Sequence, residues 1–155
     1  MLKGRLLHPE LLRALGQAGH GSKVLISDGN YPHSTKSPQT AAHIYLNFTP
    51  GVLSVTDVLN VLVDVIPIEA AEVMVPPSGP EPPVFAAYRE ILGRATTASS
   101  PGSCKLDLTP IDRWTFYDIA SEPVVAVVIA TADQRFFANL LLTIGTVNPN
   151  ASETT

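Results

Sequence analysis

Four residues stand out for the chemistry that their types and surroundings allow. His20 lies between Gly19 and Gly21, just past a segment with helical spacing. Glycines on either side free the backbone, and the negative end of a helix dipole favours a protonated imidazole, which suits a proton donor. An ordinary loop histidine fits the same pattern. Asp28 follows the β-prone run Val24-Leu25-Ile26 and precedes Gly29, at the kind of strand end where α/β proteins often bind ligands. The competing reading is an Asx turn. Arg113, beside Trp114 and ahead of Phe116-Tyr117, can offer a planar fork of donors to oxygen atoms or can cap a surface. Asn139 opens an apolar run after Phe136-Phe137-Ala138; its amide can hold sugar hydroxyls or close a strand-end turn. Spacing alone leaves each pair of readings open.

Other chemistries lack support. His8, His33 and His43 fall at no metal-ligand spacing, and a single cysteine, Cys104, excludes an internal disulfide and any zinc site that needs two thiolates. Ser34 and Ser54 have no nucleophile-elbow context, and there is no glycine-rich phosphate loop. Neither a metal nor a cofactor is therefore expected.

Elements able to position these residues can be read from periodicity. Leu11, Leu12, Leu15 and Ala18 recur at helical spacing between Pro9 and Ala18, and Val24 to Ile26 forms a strand that delivers Asp28 into a turn. Tyr31 to Thr40 reads as an irregular loop that could close over something. Val55, Val58, Leu59, Leu62 and Val63 mark a helix capped by Ser54, followed by a strand over Glu69 to Val75 and a rigid, exposed proline-rich connection from Pro76 to Pro83. Val84, Ala87, Tyr88 and Ile91 share a helical face, with Gly93 as the stop and a mobile stretch from Ala95 to Ser103 beyond it. Lys105 to Leu108 alternates like a strand and Arg113 to Ala120 reads as a short helix. Val124 to Thr131 reads as a fully buried strand, Leu140 to Ile144 as another. Strands alternating with helices predict an α/β fold, a single layered domain over 1–147 with a central sheet flanked by helices, and a polar, frayed tail over 148–155.

Composition sets the partners. The 155 residues are 45% hydrophobic and 15% charged, enough for one core with apolar surface left over for self-association. A net charge of −4 without any basic run argues against nucleic acid. The longest apolar run, Val124 to Ala130, is far too short to cross a bilayer. No export signal is readable at the N-terminus and a lone reduced thiol suits the cytosol, so a cytoplasmic location is expected.

The order of these motifs carries more than any one of them. Met1-Leu2-Lys3-Gly4, Pro9-Glu10-Leu11-Leu12, Gly19-His20-Gly21, Ile26-Ser27-Asp28-Gly29-Asn30-Tyr31-Pro32, Arg113-Trp114-Thr115-Phe116-Tyr117-Asp118 and Asn139-Leu140-Leu141-Leu142 with Gly145 together resemble the ribose pyranase and L-fucose mutarotase family. The resemblance spans roughly Met1 to Val147. It implies a small cytoplasmic α/β protein that interconverts cyclic forms of a free sugar by acid/base proton transfer, without a cofactor. It also implies self-association into a ring, typically a decamer, with the monosaccharide in the cleft between neighbouring subunits.

Carried over by position, the resemblance makes His20 the catalytic histidine and Asp28, Arg113 and Asn139 the sugar-binding residues. An arginine at position 113 matches the fucose branch, where the ribose branch has histidine. Two departures matter: the tyrosine expected two residues before the binding asparagine is Phe137, and the expected Thr-Gly-Glu is Thr131-Ala132-Asp133, so no role is assigned to Asp133. The alternatives are D-ribose pyranase activity and a monosaccharide-binding protein without catalysis. His20 and Asp28 are separated by up to roughly 26 Å of extended chain, so either curling at Gly21 or a subunit interface must bring them together.

Overall fold

The apolar runs assemble into one six-stranded sheet in a computed structural model that describes residues 2–99 and 106–147. In chain order the elements are α1 (Pro9–Gln17), β1 (Lys23–Ser27), β2 (Ala42–Tyr45), α2 (Val55–Leu62), β3 (Ile68–Val75), α3 (Val84–Ser99), β4 (Leu108–Asp112), α4 (Arg113–Ala120), β5 (Val125–Ala130) and β6 (Leu140–Ile144). The strand order is β2-β5-β1-β6-β3-β4. β5 is parallel to β1 and β2, and β3 to β4, whereas β6 runs antiparallel to both β1 and β3. All strands except β6 therefore share one direction, and their carboxyl ends emerge along one edge beside the amino end of β6.

The period-two alternation of the inner strands fills both faces. Val24 and Ile26 of β1, Val127 and Ile129 of β5, and Leu140 and Leu142 of β6 pack against α1, α2 and α3. Leu25, Val128 and Leu141 point the other way, onto Phe116 and Ala120 of α4 and onto Tyr31 and Ala41 of the loop after β1. Helix starts are fixed locally. Pro9 opens α1, Ser54 and Asp57 form a reciprocal capping box on α2, and Asp112 accepts from the backbone N–H groups of Trp114 and Thr115 at 3.0 and 3.2 Å to cap α4.

The structure departs from the periodicity in three places. α3 does not stop at Gly93 but runs to Ser99: Tyr88, Ile91 and Leu92 anchor the helix in the core up to that point, and a glycine in open space costs a helix only about 1 kcal/mol. β2 gave no alternation to read: it is an edge strand of four residues of which Ile44 alone is buried. β4 begins at Leu108 and includes Pro110, tolerated because β4 has a neighbour on one side only. In the Pro76–Pro83 connection, Pro82 is buried rather than exposed. Residues 100–105, with Cys104, and the tail from 148 lie outside the described residues.

Phe116 is wholly buried and anchors α4, the helix that begins with Arg113. Phe116→Ala is expected to lower the unfolding free energy in a urea titration by about 3–5 kcal/mol. A loss under about 1 kcal/mol would show that this ring does not hold the helix.

Candidate functional site

Asp28 emerges from the carboxyl end of β1 exactly one strand away from the amino end of β6, where Asn139 stands. The two residues are 111 positions apart and satisfy each other: the Asp28 backbone N–H donates to Asn139 Oδ1 at 3.0 Å, and Asn139 Nδ2 donates to Asp28 Oδ2 at 2.9 Å. The Asn30 N–H donates to Asp28 Oδ1 at 3.0 Å, so the Asx turn is present as well as the pairing. Both side chains are almost withdrawn from water, at 4% and 3% exposure. Burial pushes the Asp28 carboxyl above its ordinary range, with the Asp133 charge adding to the effect and the bonds from Asn30, Asn139 and Tyr31 opposing it.

Arg113 reaches this edge from the first turn of α4. Its guanidinium carbon lies 5.3 Å from the centre of the Phe137 ring, within cation–π range. Phe137 adopts φ 59°, an uncommon conformation for a bulky residue, two residues before Asn139. Asp28, Arg113 and Asn139 thus share the edge formed by strand carboxyl ends. His20 does not. It precedes β1, at the opposite end of a strand about 16 Å long at 3.3 Å per residue, where its Nε2 lies 3.0 Å from Glu69 Oε2. Gly21 turns the chain at φ 80° into β1 rather than back toward Asp28.

Several residues that sequence reasoning left aside shape the edge. Tyr31 donates its hydroxyl proton to the Lys36 carbonyl at 2.7 Å, and its ring meets Tyr117 and His33 at 5.6 and 5.4 Å between centroids. His33 Nε2 lies 2.7 Å from Ser27 Oγ, and burial, with His43 nearby, pulls its pKa down. The loop after β1 is therefore a packed wall. Asp133, given no role from the sequence, accepts from Val55 N–H at 2.9 Å and from Arg135 Nε at 2.9 Å, joining the β5 end to the start of α2. Only its place just past an apolar strand could have signalled this.

Two hollows open along this edge, neither of them lined by the side chains of Asp28 or Asn139. One of about 390 Å³ is lined by Gly29, Asn30, Asn47, Thr49, Asp133 and Gln134. The other, about 140 Å³, is lined by Val75, Pro77, Asp112, Arg113 and Trp114. Amides, carboxylates and a guanidinium beside aromatic rings form a surface suited to a small polyhydroxylated molecule. Among the described residues, no three His, Cys, Asp or Glu side chains group as metal ligands.

Known proteins resemble this chain in sequence and in fold. Residues 1–147 match the family described as the RbsD / FucU transport protein family. A fucose mutarotase of Danio rerio is 31% identical over 96% of each chain. The fold is shared with a fucose mutarotase from Streptococcus pneumoniae solved in complex with L-fucose (TM-score 0.77, 22% identity, covering 95% of this chain and 100% of that one). It is shared also with Bacillus subtilis RbsD solved with D-ribose (TM-score 0.70, 20% identity, covering 96% and 100%).

The Asp133 contacts define a pH-dependent prediction. Burial raises its pKa, but the bonds from Arg135 and Val55 outweigh burial and hold it below the ordinary 3.8. Its contribution to stability is therefore present above that ordinary value and is lost as pH falls through the lowered one. Asp133→Ala, which leaves the Val55 N–H unpaired, is expected to cost about 1–3 kcal/mol at neutral pH, with the gap to wild type narrowing below about pH 4. A gap independent of pH would deny Asp133 this role.

Proposed function

The chain belongs to the RbsD / FucU family, and from that premise we propose that it is a sugar mutarotase, an isomerase that interconverts the anomeric forms of L-fucose or a similar free aldose without a cofactor. The observation that carries the reading is the buried Asp28–Asn139 pair, with Arg113 against Phe137 on the same sheet edge, a set of acceptors and donors at the strand ends. Arg113 and the Danio rerio relative favour the fucose-like substrate over ribose.

The reaction asks little of the protein beyond proton placement. Opening the ring removes the proton of the anomeric hydroxyl, adds one to the ring oxygen, breaks the bond between the anomeric carbon and that oxygen, and leaves an aldehyde. Rotation presents the other face of the aldehyde, and closure reverses the proton transfers, so no proton is consumed. Asp28, Asn139 and Arg113 hold hydroxyls, and His20 moves the proton, a contribution worth roughly 10²- to 10⁴-fold in rate.

A single chain keeps His20 at the far end of β1 from the binding cluster, so the complete site takes His20 from a second copy, which supports assembly into a closed ring. Tyr45, Phe48, Trp114 and Phe136 are large and exposed and supply apolar surface for such an interface. The protein's place in this reading is the cytoplasm; among the described residues no helix is long and apolar enough to cross a membrane. Phe137, which puts a ring without a hydroxyl beside Arg113, favours the second reading of sugar binding without catalysis.

Saturation-difference NMR of anomeric protons across a panel of aldoses is expected to show catalysed exchange, fastest with L-fucose, that falls at least about 10²-fold in His20→Ala. Sugar binding with no change in exchange rates would establish the second reading instead.

The shared site has its own test. Coexpressed His20→Ala and Asn139→Ala chains are expected to recover roughly a quarter of wild-type activity, since random mixing pairs an intact histidine with an intact asparagine that often. Mixtures as inactive as their parents, or a fully active monomer in light scattering, would remove the second copy from the site.

A further inference from the structure

Arg113 does more than face Phe137. It also lines the smaller hollow, of about 140 Å³, together with Val75, Pro77, Asp112 and Trp114. Pockets for whole ligands run from roughly 300 Å³ upward, so this hollow has room for a substituent and not for a sugar ring.

Two contacts join the hollow to the buried pair. Asn139 Nδ2 lies 4.0 Å from Met74 Sδ, and Met74 is next in the chain to Val75. On the other side the Arg113 guanidinium lies 5.3 Å from the centre of the Phe137 ring, two residues before Asn139.

The lining is apolar once its polar groups are accounted for. Asp112 Oδ1 accepts from the N–H groups of Trp114 and Thr115 at 3.0 and 3.2 Å, so it is committed to the start of α4. The guanidinium of Arg113 is the group that the mutarotase reading sets against sugar hydroxyls. What remains is carbon from Val75, Pro77 and Trp114. The indole is 69% exposed and belongs to neither packed face of the sheet, and it meets Tyr117 edge-on at 6.0 Å between centroids. Core packing therefore does not account for a tryptophan at this position.

Resting on the mutarotase reading, we propose that this hollow takes the methyl group of a 6-deoxy aldose and that Trp114 is the residue that selects for it. A sugar whose hydroxyl is held by Arg113 brings the substituent on the neighbouring ring carbon to the hollow. In L-fucose that substituent is a methyl group, which has no hydrogen bond to lose on leaving water for an apolar wall. A hydroxymethyl group in the same place gives up its water without a partner in exchange. A hydrogen atom leaves the hollow unfilled and its contacts unmade.

The test uses the full-length protein and three sugars, L-fucose, L-galactose and D-arabinose. They share their ring stereochemistry and differ only in the group on carbon 5, which is methyl, hydroxymethyl and hydrogen respectively. In wild type, kcat/KM for anomer exchange is expected to be at least about 10-fold higher for L-fucose than for either of the others. Trp114→Ala is expected to bring both ratios below about 3-fold, with Trp114→Phe keeping most of the preference. Pro77→Ser puts a hydroxyl in the lining from a segment outside α4 and is expected to narrow the gap between L-fucose and L-galactose, which keeps the test decisive if Trp114→Ala fails to fold or assemble. Trp114 is the one tryptophan of the chain, so its emission reads the hollow without turnover. Titration of wild type with L-fucose is expected to give a saturable shift to shorter wavelength, and titration with D-arabinose a smaller one. Equal kcat/KM for the three sugars, variants that slow all three alike, or an emission that L-fucose leaves unchanged would each overturn the proposal. If wild type exchanges no aldose, the mutarotase reading fails while the two titrations still decide whether the methyl group enters the hollow.

Discussion

Strand β6 is hydrogen-bonded to β1 on one side and to β3 on the other, antiparallel to both, and each of its ends organises one of the polar pairings on which the proposed site is built. Its amino end brings Asn139 against Asp28; its carboxyl end holds the backbone of Gly21 and lies beside Glu69. A parallel strand in the same place would exchange those ends. Leu140, Leu141 and Leu142 are fully buried, and a one-residue slip would turn each of them to the opposite face of the sheet. Core packing thus fixes the register that the polar pairings at both ends require.

That edge tolerates two buried carboxylates by treating them differently. Asp133 receives a guanidinium and backbone N–H groups and stays ionised below the ordinary range. Among the described residues Asp28 receives N–H groups but no cation, and burial pushes its carboxyl up, with the charge on Asp133 adding to the shift. The first carboxylate holds β5 to α2 and is fully engaged by protein. The second pairs with a neutral amide, next in the chain to Gly29 and Asn30 that line the larger hollow.

Much of the scaffold was legible because local signals and tertiary packing agreed. The apolar spacing of α2 and its serine cap, the all-apolar run of β5 and the short helix from Arg113 appear where the pattern puts them. Where the two disagreed, the wider context prevailed: α3 passes through Gly93, which stands in open space and costs a helix only about 1 kcal/mol, and β2 exists through pairing with β5 rather than through any alternation of its own. Asp133 and Glu69 carried no periodic signal, since their importance comes from partners 78 and 49 residues away.

By itself the sequence determined the layered α/β class, most element positions, the family through the order of its motifs, and the residue types available for proton transfer and hydroxyl binding. These follow from near-neighbour physics: helical and strand periodicity, caps, turns and donor inventory. Tertiary structure alone decided which of those residues meet. It joined Asp28 to Asn139 and Arg113 to Phe137, and it set His20 with Glu69 at the other end of β1. Strand order and direction are settled by burying both faces of the sheet at once, a condition on the whole chain that no local stretch of residues can express.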